Sequence, residues 1–460
     1  MLPDDVLIEI FHFYVDEDFN KEIQEWMTLV HVCRRWRIIV FQSPRRLNLR
    51  LIYTPLTPPK DTLDIWPPLP LIIHDVQEMG EEDMDYTIAA LEHNDRVCQI
   101  RLSCWSSSRI TRVAESAAMQ KPFSKLTHLE LGMTSEWHDG PTLPDSFLGG
   151  TTPHLQSLEL TNISYPGLPK LLLSATHLVE LDLYHIPHSG SGYIPPEAMA
   201  TTLSTLTCLE YLRIHFEYPP PAPESRRPPL LTPSILPILT TMQFEGASGY
   251  LEEILARIDA PRLNKTLITF DDQSVFDSPQ LFQFISRIPT LRAPEMGHII
   301  FDSGSIIVKF PSQTSALGEL CVEISSFESK LPQISSVEQV CTSSLPPIST
   351  LEDLYVLQDS NLWIEDFLDD VENMHWLQLL RPFTTVKNLY LCKKFALRIA
   401  PALEELVRAR TTEVLPTLEN IFMEGLQPSG ALHEGIEMFV AARRLIHHPV
   451  TVSCWVKDSR

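Results

Sequence analysis

A six-residue phrase with apolar residues at its first, fourth and sixth positions recurs along most of this 460-residue chain. LTHLEL (126–131) is followed by LQSLEL (155–160), LVELDL (178–183) and LEYLRI (209–214). Later come LEDLYV (351–356), VKNLYL (386–391) and LENIFM (418–423). Weaker copies stand at VCQIRL (97–102), LTTMQF (239–244), MGHIIF (296–301) and LGELCV (317–322). KTLITF (265–270) fits poorly, because Lys265 takes the first apolar slot. In an extended strand the fourth and sixth positions share one face and the fifth points the other way. Each copy therefore predicts a short strand with one buried face.

Counted at the last apolar position, the spacing is 29 residues from Leu102 to Leu131, 29 more to Leu160, 23 to Leu183 and 31 to Ile214. It is 35 from Val356 to Leu391 and 32 to Met423. Between the strands lie helical periodicities, as in Leu251, Ile254, Leu255 and Ile258, or Ile399, Leu403, Leu406 and Val407. One strand and one helix cannot bury their apolar faces alone, but stacked copies can. The phrase and its spacing resemble leucine-rich repeats, with long and uneven connections. The resemblance implies an α/β solenoid with parallel strands on its concave face. A doubly wound α/β domain also alternates strand and helix, yet it does not explain the phasing. One departure concerns the asparagine that such repeats carry three residues after the last leucine: Thr134, Ile163 and Ile186 hold that slot.

The solenoid is expected over 96–460, preceded at 49–95 by a linker and N-terminal cap. A C-terminal capping unit at 430–460 is expected to combine a helix carrying Ile436, Phe439 and Val440 with a strand carrying Val450, Val452 and Cys454. The segment PPPAPESRRPP (219–229) reads as an exposed polyproline-type loop, either a spacer or a ligand for a proline-binding domain.

The first fifty residues carry no such phrase. Pro3 suits the first turn of a helix, and Asp4 and Asp5 complement its positive end. Leu7, Ile10, Phe11 and Tyr14 form one apolar stripe, while Val6, Ile8, Phe13 and Val15 cover much of the remainder, so this helix needs burial on two sides. Further on, Leu29, Val32, Cys33, Trp36 and Val40 fall on one helical face, with Arg34, Arg35 and Arg37 off it. Either these helices pack on the solenoid or they meet another protein.

Leu2-Pro3, Leu7, Ile10-Phe11, then Leu29, Val32-Cys33 and Trp36 resemble the F-box pattern over residues 1–48. The resemblance implies an N-terminal three-helix F-box followed by an irregular leucine-rich-repeat solenoid, as in the large fungal F-box family. It implies a non-catalytic substrate receptor of an SCF-type ubiquitin ligase, docking on the Skp adaptor and through it on a cullin–RING assembly. On this reading Leu2, Pro3, Leu7, Ile10, Phe11, Val32, Cys33 and Trp36 are adaptor contacts or their immediate supports. The acidic spacer 16–26 is longer than a minimal F-box has. The alternative is a leucine-rich-repeat scaffold outside any ligase, its N-terminal helices serving as a solenoid cap.

Composition excludes several other functions. The formal net charge is −23, which repels phosphate backbones and disfavours nucleic acid despite RRWR at 34–37. No apolar run approaches the roughly 18 residues of a membrane helix, and no basic-then-apolar leader opens the chain, so a cytoplasmic or nuclear location is expected. Eight cysteines stand apart with no C-x-x-C pair, arguing for reduced buried thiols rather than a metal centre. Glycine is scarce, at 16 residues, which argues against phosphate-cradling loops. His31 and Cys33 are two apart and cannot face each other on one helix. EEDMD (81–85) and EDFLDDVE (365–372) lack the alternating oxygens and turn glycine of a divalent-ion loop. No cofactor, metal site or catalytic residue is expected.

The fifth position of each phrase faces the concave surface, where a protein substrate would lie. Early in the chain these residues are Glu130, Glu159, Asp182 and Arg213; later they are Tyr355, Tyr390 and Phe422. Acidic residues steer basic partners and aromatic ones supply hot spots. The expected partner is therefore a protein with a basic and an apolar element.

Overall fold

The structure is a computed structural model. It describes residues 2–15, 25–54, 58–64, 66–74, 81–104, 106–133, 140–187, 192–216, 233–271, 278–291, 294–302, 305–311, 318–325, 334–343, 345, 348, 350–358, 372–407, 413–425 and 434–456. The proline-rich segment 219–229, Thr134 and nearly all of EDFLDDVE lie outside the described residues. Contacts divide the chain into two compact units, Met1–Ile194 and Pro195–Arg460.

The first unit opens with three helices, α1 (Asp4–Val15), α2 (Glu25–Val32) and α3 (Arg34–Gln42). Then strands alternate with short helices: β1 (Leu51–Tyr53), α4 (Pro59–Leu63), β2 (Leu71–His74), α5 (Glu81–Leu91), β3 (Val97–Cys104), α6 (Ser107–Ala114), β4 (His128–Met133), β5 (Ser157–Thr161), α7 (Leu168–Ser174) and β6 (Glu180–Ile186). The six strands pair in chain order, every pair parallel. Two strands, β1 and β2, precede the first clear phrase and continue the parallel pairing outward from β3. A 3-10 turn, Phe147–Gly150, replaces a helix between β4 and β5.

The second unit contains α8 (Pro196–Leu203), β7 (Tyr211–Phe216), β8 (Ser234–Ile235), β9 (Thr241–Glu245), α9 (Ser248–Leu255), β10 (Ile258–Asp259), β11 (Lys265–Asp271) and α10 (Pro279–Arg287). After these come β12 (Met296–Asp302), β13 (Ser305–Phe310), β14 (Glu319–Ser325), α11 (Ile334–Ser343), β15 (Asp353–Gln358), α12 (Asn373–Leu380), β16 (Asn388–Leu391), α13 (Lys393–Val407), β17 (Asn420–Glu424), α14 (Glu434–Leu445) and β18 (Thr451–Trp455). Its main sheet runs β7-β9-β11-β14-β13-β12-β15-β16-β17-β18. Short β8 and β10 pair with each other instead. Ile258 therefore belongs to a strand, and α9 stops at Leu255.

The phrase explains the core. Its first leucine lies buried just before the strand, and the fourth and sixth residues point inward, as Leu126, Leu129 and Leu131 do. A backbone device recurs at several steps. The carbonyl of the second phrase residue accepts two successive N–H groups from the next strand's entry: Gln156 and Ser157 on Thr127, Thr240 and Thr241 on Glu210, Lys387 and Asn388 on Glu352. This satisfies donors that would otherwise be left at the strand ends. The slot that usually holds asparagine holds buried Ile163 and Ile186, so the turn is filled by packing.

The all-parallel expectation fails in the middle of the second unit. Strand β13 is antiparallel to both β12 and β14, and the hairpin pathway places β14, not β12, beside β11. Two phrases also shift frame by two residues. Register pairs Thr266 with Met242 and Ile268 with Phe244, so the working phrase is LNKTLI (263–268), with buried Leu263 in the first slot. Register likewise pairs Gly297 with Leu354 and Ile299 with Val356. Gly297 holds an inward slot because Leu351 and Phe310 fill the space a Cβ would need, their carbons 3.1 and 3.3 Å from it.

Candidate protein-interaction surfaces

The N-terminal helices have two apolar sides. On α1, Leu7, Ile8 and Phe11 are buried, and Phe11 meets Trp36 of α3 with ring centroids 4.7 Å apart. Val6, Ile10, Phe13 and Tyr14 of α1, with Leu2 just before it, are exposed, Phe13 to 71%, so the expected stripe of Leu7, Ile10, Phe11 and Tyr14 is half buried and half exposed. A lower side closes on the sheet. Trp26 is buried, donates Nε1–H to the Arg50 carbonyl at 2.8 Å, and meets Phe41 and Trp66 edge-on.

The expected single helix through Leu29–Val40 breaks at Cys33. That residue is extended, with φ −160° and ψ 166°, and its sulfur accepts the Trp36 N–H as the N-cap of α3. Cys33 is exposed rather than a core filler, and Val32, at the end of α2, is 57% exposed. The arginines are not merely the wet face. Arg35 donates to the Leu2 carbonyl at 2.6 Å and to Asp4 Oδ1 at 2.5 Å, and Arg37 donates to the Val30 carbonyl at 3.0 Å. These bonds tie α3 to the start of α1 and to the end of α2. Sequence periodicity treats arginine as a solvated residue and misses such backbone capping.

The sheet surface opposite the helices carries the other candidates. In the first unit Arg101, Glu130, Glu159 and Asp182 form one cross-strand row. Arg101 Nε lies 3.9 Å from Glu130 Oε2, so the acidic strip begins beside a cation. Arg213 lies on β7 of the second unit, in register with Gln243.

In the second unit Tyr355, Tyr390 and Phe422 form a stacked ladder. Centroids are 4.0 and 4.5 Å apart, and planes differ by 7° and 9°. Sequence reasoning missed two further members. His298 meets Tyr355 edge-on at 4.9 Å, and Trp455 of β18 leans back to meet Tyr355 and Tyr390 edge-on. Trp455 Nε1 donates to the Leu391 carbonyl at 3.1 Å. Burial holds His298 down at about 4, helped by Lys309, so the imidazole is neutral at pH 7. Beside the aromatic row runs a polar one: Asn420 Nδ2 donates to Asn388 Oδ1 at 2.8 Å, and Asn388 Nδ2 to Asp353 Oδ1 at 2.6 Å.

A third group on this sheet, also missed, contains Glu245 on β9, Asp271 on β11 and Glu323 on β14. Burial, then Asp271 and Glu323, pushes Glu245 up to about 7. His215 Nδ1 lies 3.2 Å from Glu245 Oε2. The fifth-position frame shift at β11 and the extra strand β13 hid this grouping from the repeat pattern.

Burial pushes the thiols of Cys321 and Cys341 up to about 11 and about 12, so neither is a thiolate at neutral pH. Among the described residues no group of three or more His, Cys, Asp or Glu is placed to hold a metal ion. No helix among them is long and apolar enough to cross a membrane.

No protein-family model matches this chain, and no curated protein matches it. Among solved structures it is similar to a leucine-rich-repeat-containing protein, LegL7 from Legionella pneumophila, at 12% identity over 85% of this chain and 97% of that one, with a TM-score of 0.25. The chain's own strand register and alternating burial define its fold: an α/β, leucine-rich-repeat-like array of strand–helix units behind N-terminal helices.

Proposed function

We propose that this protein is a non-catalytic protein-binding scaffold whose N-terminal helices, an F-box-like unit, dock on a Skp-class adaptor. It would thereby serve as the substrate-recognition subunit of a cullin–RING ubiquitin ligase. The observation that carries this reading is the outer stripe of α1. Val6, Ile10, Phe13 and Tyr14, with Leu2 just before the helix, stay exposed although the same helix already buries Leu7, Ile8 and Phe11. A helix serving only as a solenoid cap gains nothing from a second apolar face, and a contiguous exposed patch marks an interaction surface. Among the residues that resemble the F-box pattern, Leu2, Pro3, Ile10 and Val32 would touch the adaptor. Leu7, Phe11, Cys33 and Trp36 would hold the helices in position.

A second reading, a scaffold outside any ligase, draws on the Trp26–Phe41–Trp66 cluster, through which the helices cover the sheet's first strands as a cap does. In both readings the substrate-facing residues are Glu130, Glu159 and Asp182 in one unit and Arg213, Tyr355, Tyr390 and Phe422 in the other. Co-expression with the Skp adaptor separates the two. The ligase reading predicts co-purification of the adaptor with the intact chain and loss of it with Ile10→Asp, which leaves the buried stripe untouched. Failure of the intact chain to retain the adaptor leaves the scaffold reading.

A further inference from the structure

The aromatic ladder of the second unit has one unfinished end. Stacked rungs cover each other's faces, so Tyr355 and Tyr390 present mainly edges to solvent. Phe422 is the last ring, and its register neighbour on β18 is Ser453, an exposed residue with a one-carbon side chain. Trp455, the aromatic residue of that strand, turns away to Tyr355 and Tyr390. Among the described residues no ring stacks on the outer side of Phe422. The rungs repeat every 4.0–4.5 Å, so one more flat group at that spacing would lie over Ser453.

Charge selects which flat group fits. On this face of β12 and β15–β18 the described charged side chains are Asp302, Asp353 and Glu424. Lys309 of neighbouring β13 stands opposite His298 but is paired with Glu319 at 2.7 Å, and His298 is neutral. Glu424 stands two residues beyond Phe422 on the same strand and face. One of its oxygens, Oε2, accepts the Lys393 N–H at 3.3 Å at the start of α13. The chain as a whole carries −23.

We infer that the Phe422 end of the ladder binds the guanidinium of an arginine in a short, basic segment of a partner protein. The guanidinium plane would stack on the outer face of Phe422 as a fourth rung, with its N–H edge toward Glu424. Arginine satisfies both demands, because its planar cation stacks on aromatic faces and presents a fork to a carboxylate. Lysine offers the charge without the plane. The inference rests on the protein-binding reading above but not on the ligase reading, since it concerns the sheet alone.

The test uses the full chain and two acetylated peptides of equal charge, (Gly-Arg)4 and (Gly-Lys)4, measured by calorimetry at 0.15 M salt. The arginine peptide is expected to bind roughly tenfold more tightly. Phe422→Leu, which keeps an apolar residue at the rung, is expected to abolish that preference, and Glu424→Gln to weaken it. Glu197→Gln, on the exposed side of helix α8, leaves it unchanged. Equal affinity for the two peptides overturns the inference. So does a preference that survives Phe422→Leu, or saturable binding of a single-stranded oligouridine in place of the arginine peptide. Adaptor capture is scored separately, so a negative peptide result leaves the N-terminal reading standing.

Discussion

Tyr355 and Tyr390 stack with centroids 4.0 Å apart and planes within 7°, from neighbouring strands whose register places them directly opposite. Cross-strand aromatic pairs of this kind contribute roughly 0.5–1.5 kcal/mol beyond their buried area. A double-mutant cycle of Tyr355→Ala and Tyr390→Ala in urea denaturation should return a coupling energy in that range. Additive losses would mean that the rings are neighbours without being partners.

Arg443 is fully buried on α14, and its Nη2 donates to the carbonyls of Leu415, Pro416 and Leu418 at 3.1–3.3 Å. Leu415 sits in the left-handed region, at φ 48°, where a leucine is strained. Arg443→Met should lower stability by about 2–4 kcal/mol, since it strands the Pro416 and Leu418 carbonyls, leaves the Leu415 carbonyl only the Leu418 N–H, and releases that turn. Thermal unfolding measures it, and Arg443→Lys is expected to restore only part of the loss because a compact ammonium lacks the planar fork.

Thr266 occupies an inward slot where neighbouring strands hold Met242 and Leu320. Its hydroxyl is buried with no hydrogen-bond partner among the described residues. Thr266→Val keeps the shape and removes the unsatisfied group, so a gain of about 1 kcal/mol in unfolding free energy is expected. A loss of stability would show that the hydroxyl is bonded in solution.

Glu245 is held up at about 7 by burial, with Asp271 and Glu323 adding to it. The folded chain therefore keeps a proton that the unfolded chain releases near the ordinary carboxylate value. The associated stability is full below that ordinary value and is lost as pH rises through about 7. Glu245→Gln should match the parent near pH 4 and exceed it by about 2 kcal/mol at pH 8, allowing for partial solvent screening. His298 works in the opposite sense: held near 4, it contributes stability above its ordinary value that is lost as pH falls toward 4. An unchanged pH–stability profile in Glu245→Gln would remove Glu245 from this account.

The repeat was legible because burial is periodic. Wherever leucine filled the first, fourth and sixth slots, as in LTHLEL and LQSLEL, the strand, its face and its register follow from the letters. It was illegible where packing substituted another residue. Thr266 and Gly297 stand in inward slots, the latter because Leu351 and Phe310 fill its volume from elsewhere. Strand β13 carries no phrase, and its antiparallel pairing depends on a hairpin that repeat spacing cannot announce. The ladder rungs Tyr355, Tyr390 and Phe422 were readable as fifth positions. Trp455 was not, because its contact reaches back across two strands. At the N-terminus helical periodicity found the residues of α2 and α3 but not the break at Cys33, which depends on a sulfur cap and on Arg35 and Arg37 binding carbonyls.

The most direct test of the proposed function is the solution mass of the full chain mixed with purified Skp adaptor, by size-exclusion chromatography with light scattering. The account predicts a one-to-one complex that is lost in Val6→Asp/Ile10→Asp while the melting temperature of the isolated chain stays unchanged. A chain that elutes alone beside the adaptor, with its outer α1 stripe intact, would contradict it.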